Sequence, residues 1–270
     1  MSRLDHRLIL LGTGSSGGVP RVGGDWGVCD PNEVRNRRTR CSALVDRTGA
    51  DGAMTRVLID TSPDLREQLL AANVRALDAL VYTHDHADQT HGIDDVRALV
   101  NAMRRPIPTY MDAVTRQSLA VRFQYCFEGM GGYPPILQTM SDIIPYQSFT
   151  ISGAGGDMTL LPVDMEHGRI RCCGFRIGGL AYCNDVNELP EASLEHLRGL
   201  DVLVVDALRY TPHPSHANLE KALWWIAELK PARAVLTNMH VDLDYRTLQR
   251  ALPAGVEPGY DGMEIPFAAG

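Results

Sequence analysis

The stretch Ala79-Leu80-Val81-Tyr82-Thr83-His84-Asp85-His86-Ala87-Asp88-Gln89 decides how this chain is read. Four apolar residues, with the length and composition of a short buried strand, run into two histidines two apart and a carboxylate two further on. Imidazole suits borderline ions such as zinc, and a carboxylate suits zinc or a harder ion. His84, His86 and Asp88 therefore make half of a metal site at a strand end. The other half has to come from elsewhere in the chain. Taken alone, the run is also open to being a polar loop that contains two of the nine histidines.

At 270 residues and 44% hydrophobic content the chain has enough apolar surface for one large α/β domain, and no linker-like stretch divides it. A single domain over residues 1–270 is expected. The formal net charge of −7 argues against a general binder of phosphate backbones or extended nucleic acid, so an anion has to be held locally, by a metal or an arginine cluster. Residues 1–7 lead only into a short apolar run at 8–11, too short for a secretory segment or a membrane span. The expectation is a cytoplasmic protein away from membranes. Six cysteines without CxxC spacing speak against a zinc ribbon or a disulfide scaffold, and are expected to be reduced and mostly in the core.

Short apolar runs at 8–11, 43–45, 57–59, 79–82, 158–163, 175–183, 202–205 and 234–236 have the length and β-branched content of strands. Helix-like segments lie at 63–72, 93–103, 113–123, 194–197 and 217–229, the last with a stripe of Leu219, Ala222, Leu223 and Ile226. Early strands follow one another like hairpins and later ones alternate with helices, which predicts an α/β fold with a mixed two-layer sheet core flanked by helices. The loop 129–135 is Gly- and Pro-rich, a composition that often covers a site.

Gly12-Thr13-Gly14-Ser15-Ser16-Gly17 matches the GxGxxG pattern of dinucleotide sites. That fingerprint has to open a helix, whereas this segment continues through Gly18, Pro20, Gly23 and Gly24 without helical periodicity. A tight turn, with backbone N–H groups near the site, is the better reading.

Three later positions have metal-binding chemistry at or just after an apolar strand. His167 follows the run at 158–163, Asp185 follows Leu180-Ala181-Tyr182-Cys183, and Val235-Leu236-Thr237-Asn238-Met239-His240 places an amide and an imidazole two apart.

In this order of parts the chain resembles the metallo-β-lactamase-fold hydrolases nearly end to end. Within them it is most similar to the cyclic-phosphate phosphodiesterases of the carbon–phosphorus lyase pathway, specifically those acting on 5-phosphoribosyl 1,2-cyclic phosphate. The shared features are Leu11-Gly12-Thr13-Gly14, Arg40-Cys41-Ser42, Leu58-Ile59-Asp60, the Asp206 to His216 segment with its His213-Pro214-Ser215-His216, and the tail at 251–265. The resemblance implies a four-layer αββα sandwich. It also implies that His84, His86 and His167 hold a first metal, with zinc the natural choice, that Asp185 bridges to a second, and that Asp88 belongs to the second site.

Two departures fall on that second metal. The sixth position of the family motif, His-x-His-x-Asp-His, is Gln89 here, and the last family ligand, a histidine, is Asn238. An amide oxygen is a weaker and harder ligand than imidazole, so manganese or magnesium suits the altered site better than zinc, and the site is also open to being empty. His240 is an alternative ligand if it shares a strand face with Asn238, and His91 a further one. The family's small structural zinc site uses closely spaced amino-terminal cysteines; this chain has only Cys29 there, and the site is expected to be absent.

A metal lowers the pKa of its bound water and thereby supplies hydroxide at neutral pH, with Asp88 placed to orient the water or accept its proton. By resemblance His216 is the general acid for the leaving oxygen, with His213 as competitor or substrate contact. Arg35, Arg37, Arg38 and Arg40 form a basic run that reads as a solvated face, or as guanidinium forks of which one or two, with Arg35 and Arg37 foremost, reach a phosphate. Asp60 fits orientation of the ligand histidines better than metal binding.

The reading is a metal-dependent phosphodiesterase carrying one or two divalent ions and acting on a small cyclic or nucleotide-like phosphodiester, with a homodimer allowed for. The competing readings are a nucleotide- or phosphate-binding relative with lost or weak catalysis, and a hydrolase of a thioester or lactam.

Overall fold

The computed structural model describes residues 5–269, so residues 1–4 of the amino-terminal start lie outside it. Six strands come first: β1 His6–Gly12, β2 Ser42–Thr48, β3 Met54–Ile59, β4 Ala79–Val81, β5 Ile107–Tyr110 and β6 Leu137–Thr139. Seven follow in a second sheet: β7 Phe149–Ile151, β8 Met158–His167, β9 Ile170–Ile177, β10 Leu180–Cys183, β11 Val202–Asp206, β12 Arg233–Thr237 and β13 Val256–Pro258. The last strand, β14 Met263–Phe267, returns to the first sheet beside β1. Each sheet is mixed, antiparallel through its early strands and parallel from β3 to β6 and from β10 to β13.

Alternation along the strands explains the layering. Leu8, Ala43, Val57 and Val81 point into the space between the sheets, where Tyr182, Val204 and Val235 meet them. Their neighbours Ile9, Leu44, Leu58 and Leu80 point the other way, onto helices at Leu65–Ala71, Arg97–Met103 and Ala113–Arg122. Ala181, Leu203, Val205 and Leu236 likewise face helices at Glu191–His196, Leu219–Leu229 and Tyr245–Ala251. Both faces of each sheet are thus apolar, which is why the strands read as continuous hydrophobic runs, and each fully buried Leu or Val contributes about 1.5–3 kcal/mol. The result is the expected αββα sandwich.

Local details depart from the sequence reading. The run 175–183 is two strands, because Gly178 (φ 54°) and Gly179 turn the chain so that Ile177 pairs with Leu180. In helix Leu219–Leu229 the core face is Ala222, Trp225 and Leu229 with Leu219 and Ile226 packed beside them, so the expected stripe holds except that Trp225 and Leu229 join it and Leu223 lies at its edge. The short segment at 194–197 belongs to a helix that begins at Glu191, and helix Tyr245–Ala251, unforeseen, is started by Asp244, whose side chain accepts from Thr247 N. The Gly12–Gly18 segment forms no helix; a Cβ on Gly12 would lie 2.0 Å from the Arg40 carbonyl oxygen. Among the described residues no helix is long and apolar enough to cross a membrane.

Candidate metal centre

Strand ends from both sheets converge at one edge of the sandwich. His84 and His86 follow β4, His167 closes β8, Asp185 lies two residues past β10, Asp206 closes β11 and Asn238 follows β12 directly. Asp60, Asp185 and Asn238 all adopt the left-handed region, with φ of 62°, 54° and 58°. Asp and Asn tolerate that conformation best, but it still costs about 1–3 kcal/mol per residue and persists only where the surroundings hold it.

Two of the three histidines are oriented from behind. Thr83 Oγ1 donates to Asp60 Oδ2 at 2.8 Å, and Thr83 N donates to Asp60 Oδ1 at 2.8 Å. With its proton committed, the Thr83 hydroxyl accepts from His84 Nδ1 at 2.9 Å, which leaves the unprotonated Nε2 of His84 buried and without a partner. Likewise His167 Nδ1 faces the Ser215 carbonyl oxygen at 2.6 Å, an acceptor only, so its Nε2 carries the lone pair and lies 3.2 Å from His86 Nδ1. One ligand atom from each of His84, His86 and His167 lies within 4.8 Å of the others.

Burial, reinforced by the neighbouring imidazoles, holds His84 well below the usual histidine range; burial and His216 bring His167 down to about 4. Neutral imidazoles with converging lone pairs fit a borderline divalent cation. Burial also pushes the Asp60 carboxyl up to about 8, against the two bonds from Thr83; its ionised form, which a cation at the imidazoles would favour, is the one that leaves His84 Nε2 unprotonated.

The other side of the centre is built on Asp185, which is 2% exposed. Its Oδ2 accepts from Gln89 Nε2 at 2.8 Å and from Asn184 Nδ2 at 3.2 Å, and its Oδ1 accepts from Asn238 Nδ2 at 2.8 Å. Asp185 Oδ2 lies 3.9 Å from His84 Nε2. His167, Asp185 and His216 form a second group whose ligand atoms lie within 4.8 Å. His216 Nδ1 bonds Asp206 Oδ2 at 2.8 Å, and Asp206 is itself held by Val186 N at 3.0 Å. Burial works against a charged ring, but the carboxylates of Asp206, Asp185 and Asp88 push His216 up to about 9.

The remaining sequence candidates divide. Asp88 sits half-buried in the first turn of helix Ala87–Thr90, close enough to act electrostatically on Asp185 and His216. His213 lies beside His216, with ring centroids 5.1 Å apart. His240 is not beside Asp185: its Nδ1 contacts Asp242 Oδ1 at 3.0 Å and its Nε2 contacts Arg21 at 3.3 Å. The reason is that β12 ends at Thr237 and the left-handed turn at Asn238 breaks the strand alternation assumed for 238 and 240. His91 is engaged by Arg122, which also donates to the Asp85 carbonyl oxygen.

The basic run scatters as well. Arg35 stacks over Tyr245 and Tyr260 at 5.0 and 5.3 Å, Arg37 is exposed and Arg40 pairs with Asp64. Arg38 is buried and donates to the Leu243 carbonyl oxygen at 2.7 Å. Among the described hydrogen bonds and ion pairs, none of the four reaches His84, His86, His167 or His216. Sequence reasoning assigned no role in the centre to Thr83, Asn184 or Asp206. Only Asp206 left a signal, a carboxylate closing a strand ten residues before His216.

A family model described as the beta-lactamase superfamily domain matches residues 55–239. A crystal structure of a diphosphatase from the PhnP family superposes with a TM-score of 0.87 at 36% identity, covering 98% of both chains. The metallo-β-lactamase fold protein YhfI from Bacillus subtilis has a TM-score of 0.72 at 16% identity, over 97% of this chain and 99% of that one, a likeness of fold. An octanoyltransferase from Porphyromonas gingivalis (strain ATCC BAA-308 / W83) is 34% identical over 263 residues, 96% of this chain but 51% of that protein, so the chain spans about half the length of this curated relative. The converging histidines, the two seven-stranded sheets and the match over residues 55–239 agree, and the chain belongs to the beta-lactamase superfamily, with the metallo-β-lactamase fold.

Proposed function

We propose that this protein is a metal-dependent hydrolase of small phosphodiesters or diphosphates, nucleotide-like or cyclic in structure. The observation that carries the reading is the convergence of His84, His86 and His167 beside an Asp206–His216 pair. The whole-length likeness to a PhnP-family diphosphatase supports phosphorus chemistry over cleavage of a thioester or lactam. The octanoyltransferase match covers half of a longer protein, and acyl transfer is not proposed.

His84, His86 and His167 hold the ion, zinc being the natural occupant of an all-imidazole set. When bound, the ion supplies Lewis acidity and an activated water at neutral pH. Asp206 fixes the ring of His216 through Nδ1, so that Nε2 keeps a proton for the leaving oxygen. Asp88 is the nearby carboxylate for accepting a proton from water, and His213 the side chain beside His216 for contacting the substrate. A phosphate-binding protein without turnover is the second reading, favoured by the amides at positions 89 and 238.

Turnover of bis(p-nitrophenyl) phosphate, before and after chelation and on adding back zinc or manganese, tests the proposal; no turnover with any ion favours the binder. His216→Ala is expected to lower kcat about 10²–10⁴-fold on an alkyl phosphodiester and far less on an activated aryl ester. Equal losses on both would remove the proton-donor role.

A further inference from the structure

We infer that this centre holds one divalent ion where the superfamily pattern implies two, because Gln89 and Asn238 direct their amide N–H groups at Asp185 and occupy the place of the second ion's ligands. The inference rests on the proposed metal-dependent hydrolase and adds the number of ions it uses.

A carboxylate that bridges two ions needs lone pairs free for both. Asp185 has about four lone-pair sites. Two on Oδ2 are taken by Gln89 and Asn184, and one on Oδ1 by Asn238. The remaining direction from Oδ1 faces His216 Nδ1 at 3.5 Å. These donors are what allow a carboxylate to sit there, since an unpartnered buried carboxylate is strongly disfavoured.

Turning an amide round to offer its oxygen to an ion would set that oxygen against a carboxylate oxygen about 2.8 Å away, lone pair facing lone pair. It would also remove a hydrogen bond to a charged acceptor. What is left for a second ion is Asp88 and three buried oxygens without partners, Gln89 Oε1, Asn184 Oδ1 and Asp206 Oδ1, of which two are neutral amide oxygens and the third belongs to the carboxylate already bound through Oδ2 to His216 and Val186 N. Neutral amide oxygens and a carboxylate committed to His216, without Asp185 free to bridge, make a poor second site beside three imidazoles. Nor does the group of His167, Asp185 and His216 add an independent site: it shares His167 with the first, and His216 turns Nδ1 towards Asp206. The two halves therefore differ in kind, one offering imidazole nitrogens and the other a central carboxylate, Asp185, whose lone pairs are already matched.

The test counts ions. Protein stripped of metal, titrated with Co²⁺ and then dialysed, should retain one equivalent per chain by elemental analysis, with the Co²⁺ absorption bands saturating at that equivalent. Gln89→His/Asn238→His should raise the retained amount to two. Two equivalents on the unmodified chain would overturn the inference while leaving the hydrolase reading intact, as turnover of bis(p-nitrophenyl) phosphate would show. No retained ion would overturn both. A folded double variant that stays at one equivalent would also overturn it, since the amides would then not be what excludes the second ion. Should the double variant fail to fold, the unmodified chain's stoichiometry and Co²⁺ spectrum decide.

Discussion

The two sides of the centre lie at the same strand ends, with His84, His167, Gln89, Asp185 and Asn238 buried and His86 exposed, yet their hydrogen bonding differs. On the imidazole side, His84 Nε2 has no partner and His167 Nε2 meets only another imidazole nitrogen, His86 Nδ1 at 3.2 Å, so ring nitrogens converge on one another. On the amide side, every oxygen of Asp185 meets a donor from Gln89, Asn184 or Asn238. Buried polar groups are normally satisfied. A buried ring nitrogen left without a donor among converging imidazoles therefore calls for a cation, whereas the carboxylate of Asp185 is already matched, although the nearby Gln89 Oε1, Asn184 Oδ1 and Asp206 Oδ1 are not. Cation demand in this fold is set by how donors and acceptors are paired, more than by how many polar residues surround the site.

Removing an acceptor should break the contrast most strongly. His84→Ala takes away one of three imidazoles and should lower ion affinity by more than the roughly 10–100-fold expected for losing an outer partner. Isothermal titration with Zn²⁺ measures it; unchanged affinity would place the ion elsewhere. Thr83→Val keeps the shape but removes the hydroxyl between Asp60 and His84. Affinity should fall about 10–100-fold, with the imidazole set still intact. A loss as large as that of His84→Ala would mean that orientation matters as much as ligation.

The smallest effect serves as a control outside both sides. Asp244 caps helix Tyr245–Ala251. Burial opposes its ionisation, but bonds from Asn36, Thr247 and Asp30 hold its carboxyl down at about 2. Asp244→Ala should cost about 1–2 kcal/mol at pH 7 in urea unfolding and leave the Zn²⁺ stoichiometry unchanged. Because the folded value lies below the unfolded one, the carboxylate's contribution is present above about pH 4 and fades as the pH falls towards about 2. The gap between variant and parent should therefore narrow at pH 3. Loss of the ion in this variant would show that metal binding tracks general stability and would undo the comparison.

Much of this was legible in the chain because it is encoded locally. The strand runs alternate between two buried faces, so Leu8 with Leu10 and Ile9 with Leu11 already announce a sheet covered on both sides. The His84-Asp85-His86 spacing after an apolar run identifies a half-site, and the order of His167, Asp185 and His216 extends it. What failed did so where a single residue redirects the backbone or where a charge finds a partner far along the chain. Asn238 ends β12 in a left-handed turn and sends His240 towards Arg21. Arg38, one of four consecutive-looking basic residues, is buried because carbonyl oxygens of the segment at 240–243 meet its guanidinium.

By itself, the sequence determined the residue types and their order along the strands: which positions carry imidazole, which carry amide, and which are apolar on both faces. Only the tertiary structure decided that Gln89 and Asn238 turn their N–H groups to Asp185, that the hydroxyl of Thr83 joins Asp60 to His84, and that Asp206 backs His216. The physical reason is that composition and spacing fix what each group can donate or accept. The direction in which it does so depends on partners that folding brings from residues such as 89, 185 and 238, far apart in the chain.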